Sequence, residues 1–342
     1  MEKCLQCKKV VKAKQHALCC DGCGGWQHRL CNTGFLQKDI SCDGQRHLIF
    51  ATTEQLDVLA NLQTWYVDGT FKVVRSPFAQ LFSIHGFLGD QQKQKQVPLA
   101  FVLMSRRQTA DYVAVFTALM TILPRRAAVQ TIVADFERAT WAAARETIRG
   151  VTVEGCHFHW SQAIWRKVQE VGLQVPYNED RHIHKTVRCL LSLPFLPEAE
   201  VKDAFLYIQD QAQDDDRLLS LLSYVNRNWV ESNVFPIPSW NVYRKETRTN
   251  NDCEGWHRRL NHNAKESTPP MYLLIPILHS EAEKLPLQKQ MVEEGSLHRL
   301  QRRDVRERQR LYEDLWEQYE AGMFTGLELL VQLSRVCGPS RL

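Results

Sequence analysis

Three acidic residues, far apart along the chain, occupy positions at which a carboxylate could bind a metal ion. Asp68 lies within segment 65–74, which is rich in aromatic and β-branched residues and is typical of a strand. Asp135 follows the apolar run 131–134, and Glu254 lies in the first turn of a predicted amphipathic helix. Because a carboxylate inside a strand destabilises the fold unless a cation or hydrogen bonds compensate its charge, these acids are candidate catalytic and metal-binding residues.

Two acids on adjacent strands and a third on a helix can together hold two divalent cations. Two such ions, ~3.5–4 Å apart, activate a water or a 3′ hydroxyl and stabilise the leaving oxygen of an in-line displacement at phosphorus. Mg²⁺ suits this arrangement because it keeps several waters and binds few carboxylates, and Mn²⁺ is the natural substitute. The predicted chemistry is therefore metal-dependent cleavage and transfer at phosphodiester bonds.

Each acid also has a plainer interpretation. Asp68 could face solvent from an edge strand. Asp135 could cap the helix that begins within three residues of it, and Glu137 is a neighbouring carboxylate that could assist or replace it. Glu254 could form a capping box with Asn251, three residues earlier. The residues alone leave these alternatives open.

The elements around the acids predict a mixed sheet. Segments 65–74, 81–87 and 97–103 alternate with turn residues and predict an antiparallel meander. Segments 131–135 and 151–156 predict two further strands, each of which leads into a helix. Three strands followed by alternating helix and strand is the order of a ribonuclease-H-like α/β fold, a mixed sheet flanked by helices.

The remaining segments define the predicted domain organisation. Residues 176–245 carry helical periodicity and little strand signal, which predicts an all-α insertion within a catalytic domain at 61–265. Residues 266–342 predict a helical, Arg-rich C-terminal region. Residues 43–60 are interpreted as a connecting segment, and the cysteine-rich residues 1–42 as a small metal module.

Four short motifs occur in a fixed order along the chain. They are VDGTF at 67–71, VADFE at 133–137, CHFHW at 156–160 and TNNDCEGWH at 249–257. In this order and at these separations they resemble the signature of Mutator-like element (MULE) transposases, over roughly residues 43–285.

The resemblance to MULE transposases implies both a fold and an activity. It implies a ribonuclease-H-like domain with a helical insertion before the last acid. It also implies that Asp68, Asp135 and Glu254 form a DDE triad that binds Mg²⁺ or Mn²⁺ and cleaves and joins DNA. Cys156 and His159 match the Cys/His motif of the family, and we expect a structural role for them because two ligands are too few to close a zinc site.

Aromatic and basic residues provide candidate DNA contacts. Such residues can follow a DNA strand by stacking and by charge, although they could equally form a helix with one core face and one solvated face. The candidates are Trp160, Arg166, Lys167, Arg258, Arg259, Arg302, Arg303 and Arg306.

The N-terminal cysteines have the spacing of zinc ligands. The candidate ligands are Cys4, Cys7, Cys20, Cys23, His28 and Cys31. The segment 20–31 resembles a PHD finger, which implies that Cys4, Cys7, His28 and Cys31 hold one Zn²⁺ and that the pair at 20 and 23 holds half of a second. The closing cysteine pair of that family is missing here, so the module is incomplete, and its second site could be open, closed by other cysteines or absent.

Composition bounds the location and the partners. The net charge is +4, and 44% of the residues are hydrophobic and 24% charged, as is ordinary for a globular protein. The longest apolar run, 97–104, is too short to span a bilayer, and no secretory signal is visible. We therefore expect an intracellular protein with no membrane partner, and the resemblance implies the nucleus, DNA as partner, chromatin as a further candidate and a homo-oligomer.

Two function classes remain open. The first is an active DDE transposase, which could be truncated because 43–64 leaves no room for the separate DNA-binding zinc module that MULE proteins usually carry. The second is a domesticated, transposase-derived protein that binds DNA or chromatin without catalysis. Retention of all three acids argues against the second class, since a binding protein has no need of them.

Overall fold

A computed structural model of the chain describes residues 17–19, 26–28, 34–90, 94–212, 215–245, 251–264, 268–299 and 303–338. The chain divides into two compact units. The first comprises Met1–Val153 and Asn251–Arg299, and we call it the sheet unit. The second comprises Glu154–Asn250 and Leu300–Leu342, and we call it the helical unit.

The strands of the described residues form two sheets. The bounds are β1 (Ala17–Cys19), β2 (Trp26–His28), β3 (Leu36–Cys42), β4 (Gln45–Phe50), β5 (Thr64–Thr70), β6 (Gln80–Leu88), β7 (Lys95–Met104), β8 (Thr131–Ala134) and β9 (Thr152–Gly155). β1 and β2 pair with each other, and the other strands form one sheet in the order β3-β4-β7-β6-β5-β8-β9. β5 pairs antiparallel with β6 and parallel with β8, so the sheet is mixed, as predicted.

The antiparallel meander is also confirmed. β5, β6 and β7 follow one another in the chain, and each pairs antiparallel with the next. β8 and β9 lie where the two further strands were predicted. β5 to β7 carry long apolar or β-branched runs, whereas β8 and β9 are four residues each and begin with β-branched residues. Such residues are a strand signal when turn residues bound them.

The hairpin β3–β4 was not predicted. The sequence predicts a metal module up to residue 42 and a connection over 43–60, whereas in the structure β3 and β4 extend the sheet beside β7. Asp43 and Gly44 form the two-residue turn, with φ of 47° and 74°. Positive φ at both turn residues matches the right-handed twist of a hairpin, and Asp-Gly is a strong sequence signal for it. The boundary at residue 42 is therefore wrong.

The helices of the described residues run in chain order. They are α1 (Thr53–Asn61), α2 (Thr109–Ile122), α3 (Arg138–Thr147), α4 (His157–Glu170), α5 (Gln174–Glu179), α6 (Arg181–Ser192), α7 (Val201–Gln211), α8 (Asp216–Val225), α9 (Ile237–Trp240), α10 (Asn251–Asn263), α11 (Met271–Ala282), α12 (Leu285–Glu293), α13 (Arg303–Glu320) and α14 (Gly326–Val336). No helix within these described ranges is both long and apolar enough to cross a bilayer.

Helices cover both faces of the sheet in the sheet unit. On one face, Trp256 of α10 stacks on Phe101 of β7, with ring centroids 5.6 Å apart, and its indole donates a hydrogen bond to Glu281 of α11. On the other face, Phe82 of β6 contacts Tyr112 of α2 edge-on at 5.3 Å. Burial of these aromatic rings fixes α10 against the sheet, which matters for the residues that α10 carries.

The helical unit has its own core. Trp160 of α4 stacks on Trp240 of α9 at 5.6 Å, and Trp316 of α13 donates a hydrogen bond to the carbonyl of Phe195 at 2.8 Å. The regular elements between 157 and 245 are all helical, as the insertion predicted, although the unit begins earlier, at Glu154. The C-terminal region does not form one body, because α11 and α12 belong to the sheet unit and α13 and α14 to the helical unit.

Buried Asp111 links α2 to β4 within the sheet unit, through its contacts with Arg106 and with His47 of β4. Asp111 is fully buried and accepts hydrogen bonds from Arg106 Nε and from the Gln108 backbone N–H, both at 2.8 Å, and it lies 3.2 Å from His47. Burial alone would raise the pKa of Asp111, but the bonds from Arg106 and Gln108 outweigh it and lower that pKa below its ordinary value.

Replacing Asp111 tests this connection. Asp111→Ala leaves buried donors without an acceptor, so the free energy of unfolding should fall by about 3 kcal/mol. Urea unfolding followed by circular dichroism measures the change. The control is Asp57→Ala, which breaks an exposed pair with Arg125 and should lower stability by less than about 1 kcal/mol. Equal losses in the two variants would contradict the assignment.

Candidate metal centre

The parallel pairing of β5 with β8 places Asp68 next to Asp135. The register pairs Thr64 with Thr131 and Tyr66 with Val133, and extending it by two residues sets the two aspartates side by side. Because side chains alternate along a strand, both point to the face on which Tyr66 lies. Each aspartate offers a carboxylate oxygen within 4.8 Å of one from the other.

Asp68 is an interior residue, and the edge-strand interpretation is wrong for it. β5 lies between β6 and β8, and the side chain is only 6% exposed. Its Oδ1 accepts the backbone N–H of Gly69 at 2.8 Å, and its Oδ2 lies 3.2 Å from Nδ1 of His257. These contacts hold the carboxylate in one orientation.

Asp135 does not cap the helix that follows it. The N-cap of α3 is Glu137, and no side chain caps that helix by a hydrogen bond. The indole of Trp141 donates a hydrogen bond to the backbone carbonyl of Asp135 at 2.7 Å, which fixes the main chain. Burial, together with the negative charges of Asp68 and Glu137, raises the pKa of Asp135 to about 7.

Glu137 is engaged with its neighbours. Its Oε2 accepts hydrogen bonds from the hydroxyl of Tyr112 at 2.8 Å and from that of Thr140 at 3.2 Å. Its other oxygen lies 4.0 Å from the guanidinium of Arg107. These bonds tie the β8–α3 connection to α2 and favour a supporting role over replacement of Asp135.

Glu254 faces the same site from α10. Burial and the charge of Asp68 raise the pKa of Glu254 to about 7, against an opposing effect of Arg258, whose guanidinium lies 4.0 Å away. The carboxylates of Asp68 and Asp135 are closely spaced, with an oxygen of each within 4.8 Å of the other. Asp68 is thus the carboxylate whose charge acts on both other acids.

The residues present fit a hard divalent cation. Carboxylate oxygens are the ligands that Mg²⁺ and Mn²⁺ accept, and three of them are supplied by two strands and a helix. Burial, and after it the charge of Asp68, raises the pKa of Asp135 and of Glu254, and a bound cation would favour the ionised form of both. Perturbed acids in a cluster are typical of functional sites.

His257 is a site residue that the sequence interpretation overlooked. It lies in the motif at 249–257 and contacts Asp68 directly. The available signal was spacing, because residues three apart on a helix share a face and His257 follows Glu254 by three. Its side chain is 7% exposed, so the contact is buried.

The predicted DNA contacts differ in their exposure. Trp160 is fully buried in the helical unit, so the prediction that it stacks on DNA is wrong. Lys167 is mostly buried and pairs with Glu170 at 2.7 Å, whereas Arg166 is exposed.

The other basic candidates lie at the surface of their units. Arg258 and Arg259 are exposed on α10, on the helix that carries Glu254. Arg303 and Arg306 are exposed on α13, where Arg303 pairs with Glu307 at 2.7 Å. Arg302 lies outside the described residues.

The predicted zinc ligands fall almost entirely outside the described residues. Those outside are Cys4, Cys7, Cys20, Cys23 and Cys31. His28 belongs to β2 by its backbone, and zinc binding by the module stays a prediction. Cys156 is buried and its carbonyl accepts the Trp160 N–H at 3.1 Å, at the start of α4, while His159 lies in the first turn; their structural role also stays a prediction.

A family model matches part of the chain. Residues 64–163 match the family model described as the MULE transposase domain. None of the curated proteins matches the chain. The matched segment contains β5 to β9 with Asp68 and Asp135, and it indicates a transposase-related function.

The raised pKa of Asp135 predicts how metal and pH act on stability. A carboxyl whose folded-state pKa is raised destabilises the fold progressively as pH rises from about 4 to about 7, and fully above that. Without metal, Asp135→Asn should therefore melt at a higher temperature than the unmodified protein at about pH 8, with a gap that narrows at about pH 5. Mn²⁺ should reverse the order at about pH 8, because it needs the ionised carboxylate.

Thermal unfolding with and without Mn²⁺ measures both effects. Asp57→Asn is the control, since this exposed carboxylate lies away from the cluster and should leave the response to Mn²⁺ unchanged. An Asp135→Asn protein that Mn²⁺ stabilises as strongly as the unmodified protein would rule out Asp135 as a ligand.

Proposed function

We propose that the sheet unit is the catalytic domain of a DDE-type DNA transposase, which cleaves DNA phosphodiesters and joins a 3′ hydroxyl to target DNA. The observation that carries this proposal is the placement of Asp68 beside Asp135 by the parallel register of β5 and β8. Glu254 adds a third carboxylate whose pKa responds to Asp68. The match to the MULE transposase domain covers both aspartates.

The strand order supports a ribonuclease-H-like fold for this unit. An antiparallel meander, β5 to β7, leads into the parallel strand β8 and then β9, with helices between them. Asp68 lies on the first strand of the meander, Asp135 directly after β8, and Glu254 on a helix that returns to the sheet after the helical residues 157–245.

The chain's residues would perform three tasks. Bound Mg²⁺ or Mn²⁺ ions would activate the attacking oxygen and stabilise the leaving oxygen of an in-line displacement. Asp68 and Asp135 would hold cations between adjacent strands, and Glu254 would supply a ligand from α10. The hydrogen bond from the Gly69 N–H to Oδ1 of Asp68 and the contact of His257 with its Oδ2 orient this carboxylate before a substrate arrives.

A cationic aromatic surface beside the acids supports DNA as the substrate. Phe71 follows Asp68 by three residues, and its ring is 50% exposed. The guanidinium of Arg107 lies over this ring, 4.7 Å from its centroid, and is itself close enough to Asp135 to oppose the rise of that pKa. An exposed ring with a stacked guanidinium can hold an unpaired base and a phosphate together.

The proposal extends to the rest of the protein. We propose Zn²⁺ binding at the N-terminal cysteines on the basis of their ligand spacing, and a nuclear location on the basis of a DNA substrate. Exposed Arg258 and Arg259 beside the site are further candidates for phosphate contacts.

Loss of Asp68 tests catalysis. Asp68→Asn should lower Mg²⁺-dependent nicking of linear or branched DNA by about 10²-fold or more, because metal stabilisation of the transition state is worth several kcal/mol. Asp57→Asn should cut at the unmodified rate. Tight DNA binding by the unmodified protein without cutting in Mg²⁺ or Mn²⁺ would replace this proposal with a DNA-binding protein that lacks catalysis.

Loss of the Phe71 ring tests the DNA surface. Phe71→Ala should weaken binding of single-stranded DNA by roughly 5- to 150-fold, the range expected for one stacked base, whereas Phe71→Trp should retain affinity. Fluorescence anisotropy in the Asp68→Asn background measures binding without cleavage. Leu206→Ala is a matched control, since Leu206 is another exposed apolar residue, on α7. An unchanged affinity in Phe71→Ala would rule out stacking.

A further inference from the structure

A continuous line of polar contacts leads from Asp68 into the core of the sheet unit. Nδ1 of His257 lies 3.2 Å from Oδ2 of Asp68, and its Nε2 lies 3.1 Å from the hydroxyl of Ser83. That hydroxyl lies 2.9 Å from Nε2 of His85. We call these four residues the polar chain, and every member is at most 7% exposed.

Sheet register and helix packing bring the polar chain together. Ser83 of β6 pairs directly with Asp68 of β5, so both side chains lie on one face of the sheet. His85 is two residues further along β6 on the same face, against the ring of Trp256 at 5.1 Å. His257 comes down onto this face from α10.

The donors and acceptors of the polar chain fit in one direction. Nδ1 of His257, 3.2 Å from Oδ2 of Asp68, is the ring nitrogen placed to direct its proton at that carboxylate. With the ring proton on Nδ1, Nε2 of His257 can accept the hydroxyl proton of Ser83, which also has the backbone carbonyl of Asp68 as a more distant acceptor at 3.3 Å, and that hydroxyl accepts the N–H of His85. Burial lowers the pKa of His85 well below its ordinary value, which keeps this ring neutral with one proton to give.

The contact between His257 and Asp68 acts on the carboxylate at the centre of the site. Oδ1 of Asp68 is already held by the Gly69 N–H, so His257 is the partner that fixes Oδ2. A hydrogen bond from a neighbouring group to a metal-binding side chain sets its orientation, and removing such a bond weakens metal affinity by about 10- to 100-fold. The contact between His257 and Asp68 also joins α10, which carries Glu254, to β5.

We infer that His257 is a positioning residue, whose Nδ1–H orients the carboxylate of Asp68 for a divalent cation and anchors α10 above the sheet. The inference rests on the proposed function, because it takes Asp68 as a cation ligand. It assigns to His257 a role through Asp68, while Ser83 and His85 fix the ring of His257.

Two substitutions at residue 257 separate the roles of the two ring nitrogens. The amide of asparagine reaches the place of Nδ1, so His257→Asn keeps the donor to Asp68 and gives up the bond to Ser83. The amide of glutamine reaches the place of Nε2, so His257→Gln keeps the link to Ser83 and gives up the bond to Asp68. Both variants remove the ring, so they share any loss of packing.

Mn²⁺ affinity of the full chain, measured by isothermal titration calorimetry, tests the inference. We expect His257→Gln to bind Mn²⁺ about 10- to 100-fold more weakly than the unmodified protein, and His257→Asn to stay within about threefold of it. Ser83→Ala, which loosens the ring without removing the donor, should fall between them. Thermal unfolding without metal shows that each variant is folded.

Other results would overturn the inference in distinct ways. Equal Mn²⁺ affinity in His257→Gln and the unmodified protein would remove the positioning role and leave the proposed function standing. Equal losses in the Asn and Gln variants would assign the effect to packing and also overturn it. If the unmodified protein binds no Mn²⁺, the result would contradict the proposed function and also the metal-related role of His257. A double-mutant cycle between His257→Gln and Asp68→Asn, measured as the free energy of unfolding without metal, would then test the contact alone. Additive effects of the two substitutions would show that the contact contributes no coupling energy and would overturn the anchoring of α10 as well.

Discussion

The parallel pairing of β5 with β8 is the constraint on which the candidate site depends. Strands in a sheet lie about 4.8 Å apart, and side chains at paired positions of adjacent strands share a face. The register that joins Tyr66 to Val133 therefore brings Asp68 and Asp135, far apart in sequence, into one cluster. A shift of this register by one residue would turn one of the two aspartates to the opposite face.

Bringing like charges together opposes folding, and the surrounding structure offsets this repulsion in two ways. The Gly69 N–H donates a hydrogen bond to Oδ1 of Asp68, and Nδ1 of His257 lies beside its Oδ2, so a polar group faces each oxygen. Asp135 and Glu254 instead have pKa values raised to about 7, so a proton can neutralise them when no cation is bound. The site is thereby prepared for a cation and remains compatible with a folded protein in its absence.

The strength of the local sequence signal explains where prediction from sequence succeeded and where it failed. The sequence predicts the five strands β5 to β9 because each contains aromatic, apolar or β-branched residues, and this local signal survives in the fold. The hairpin β3–β4 was missed although Asp43-Gly44 marks its turn, since polar residues on β3 conceal the strand pattern. The sequence predicts that Trp160 stacks on DNA, because a segment with an aromatic residue next to basic residues looks the same in a core helix as on a binding surface. The burial of Trp160 against Trp240 shows that it belongs to the core of the helical unit.

Sequence by itself determined the identity of the three acids, the strand order that carries two of them and the resemblance that orders their motifs. Those features are local, because they depend on residue type and on spacing over a few positions. Tertiary structure decided that β5 is an interior strand, that Glu137 rather than Asp135 is the N-cap of α3, and that His257 contacts Asp68. Each of these depends on which segments pair or pack across long separations in sequence, and no local pattern encodes that register.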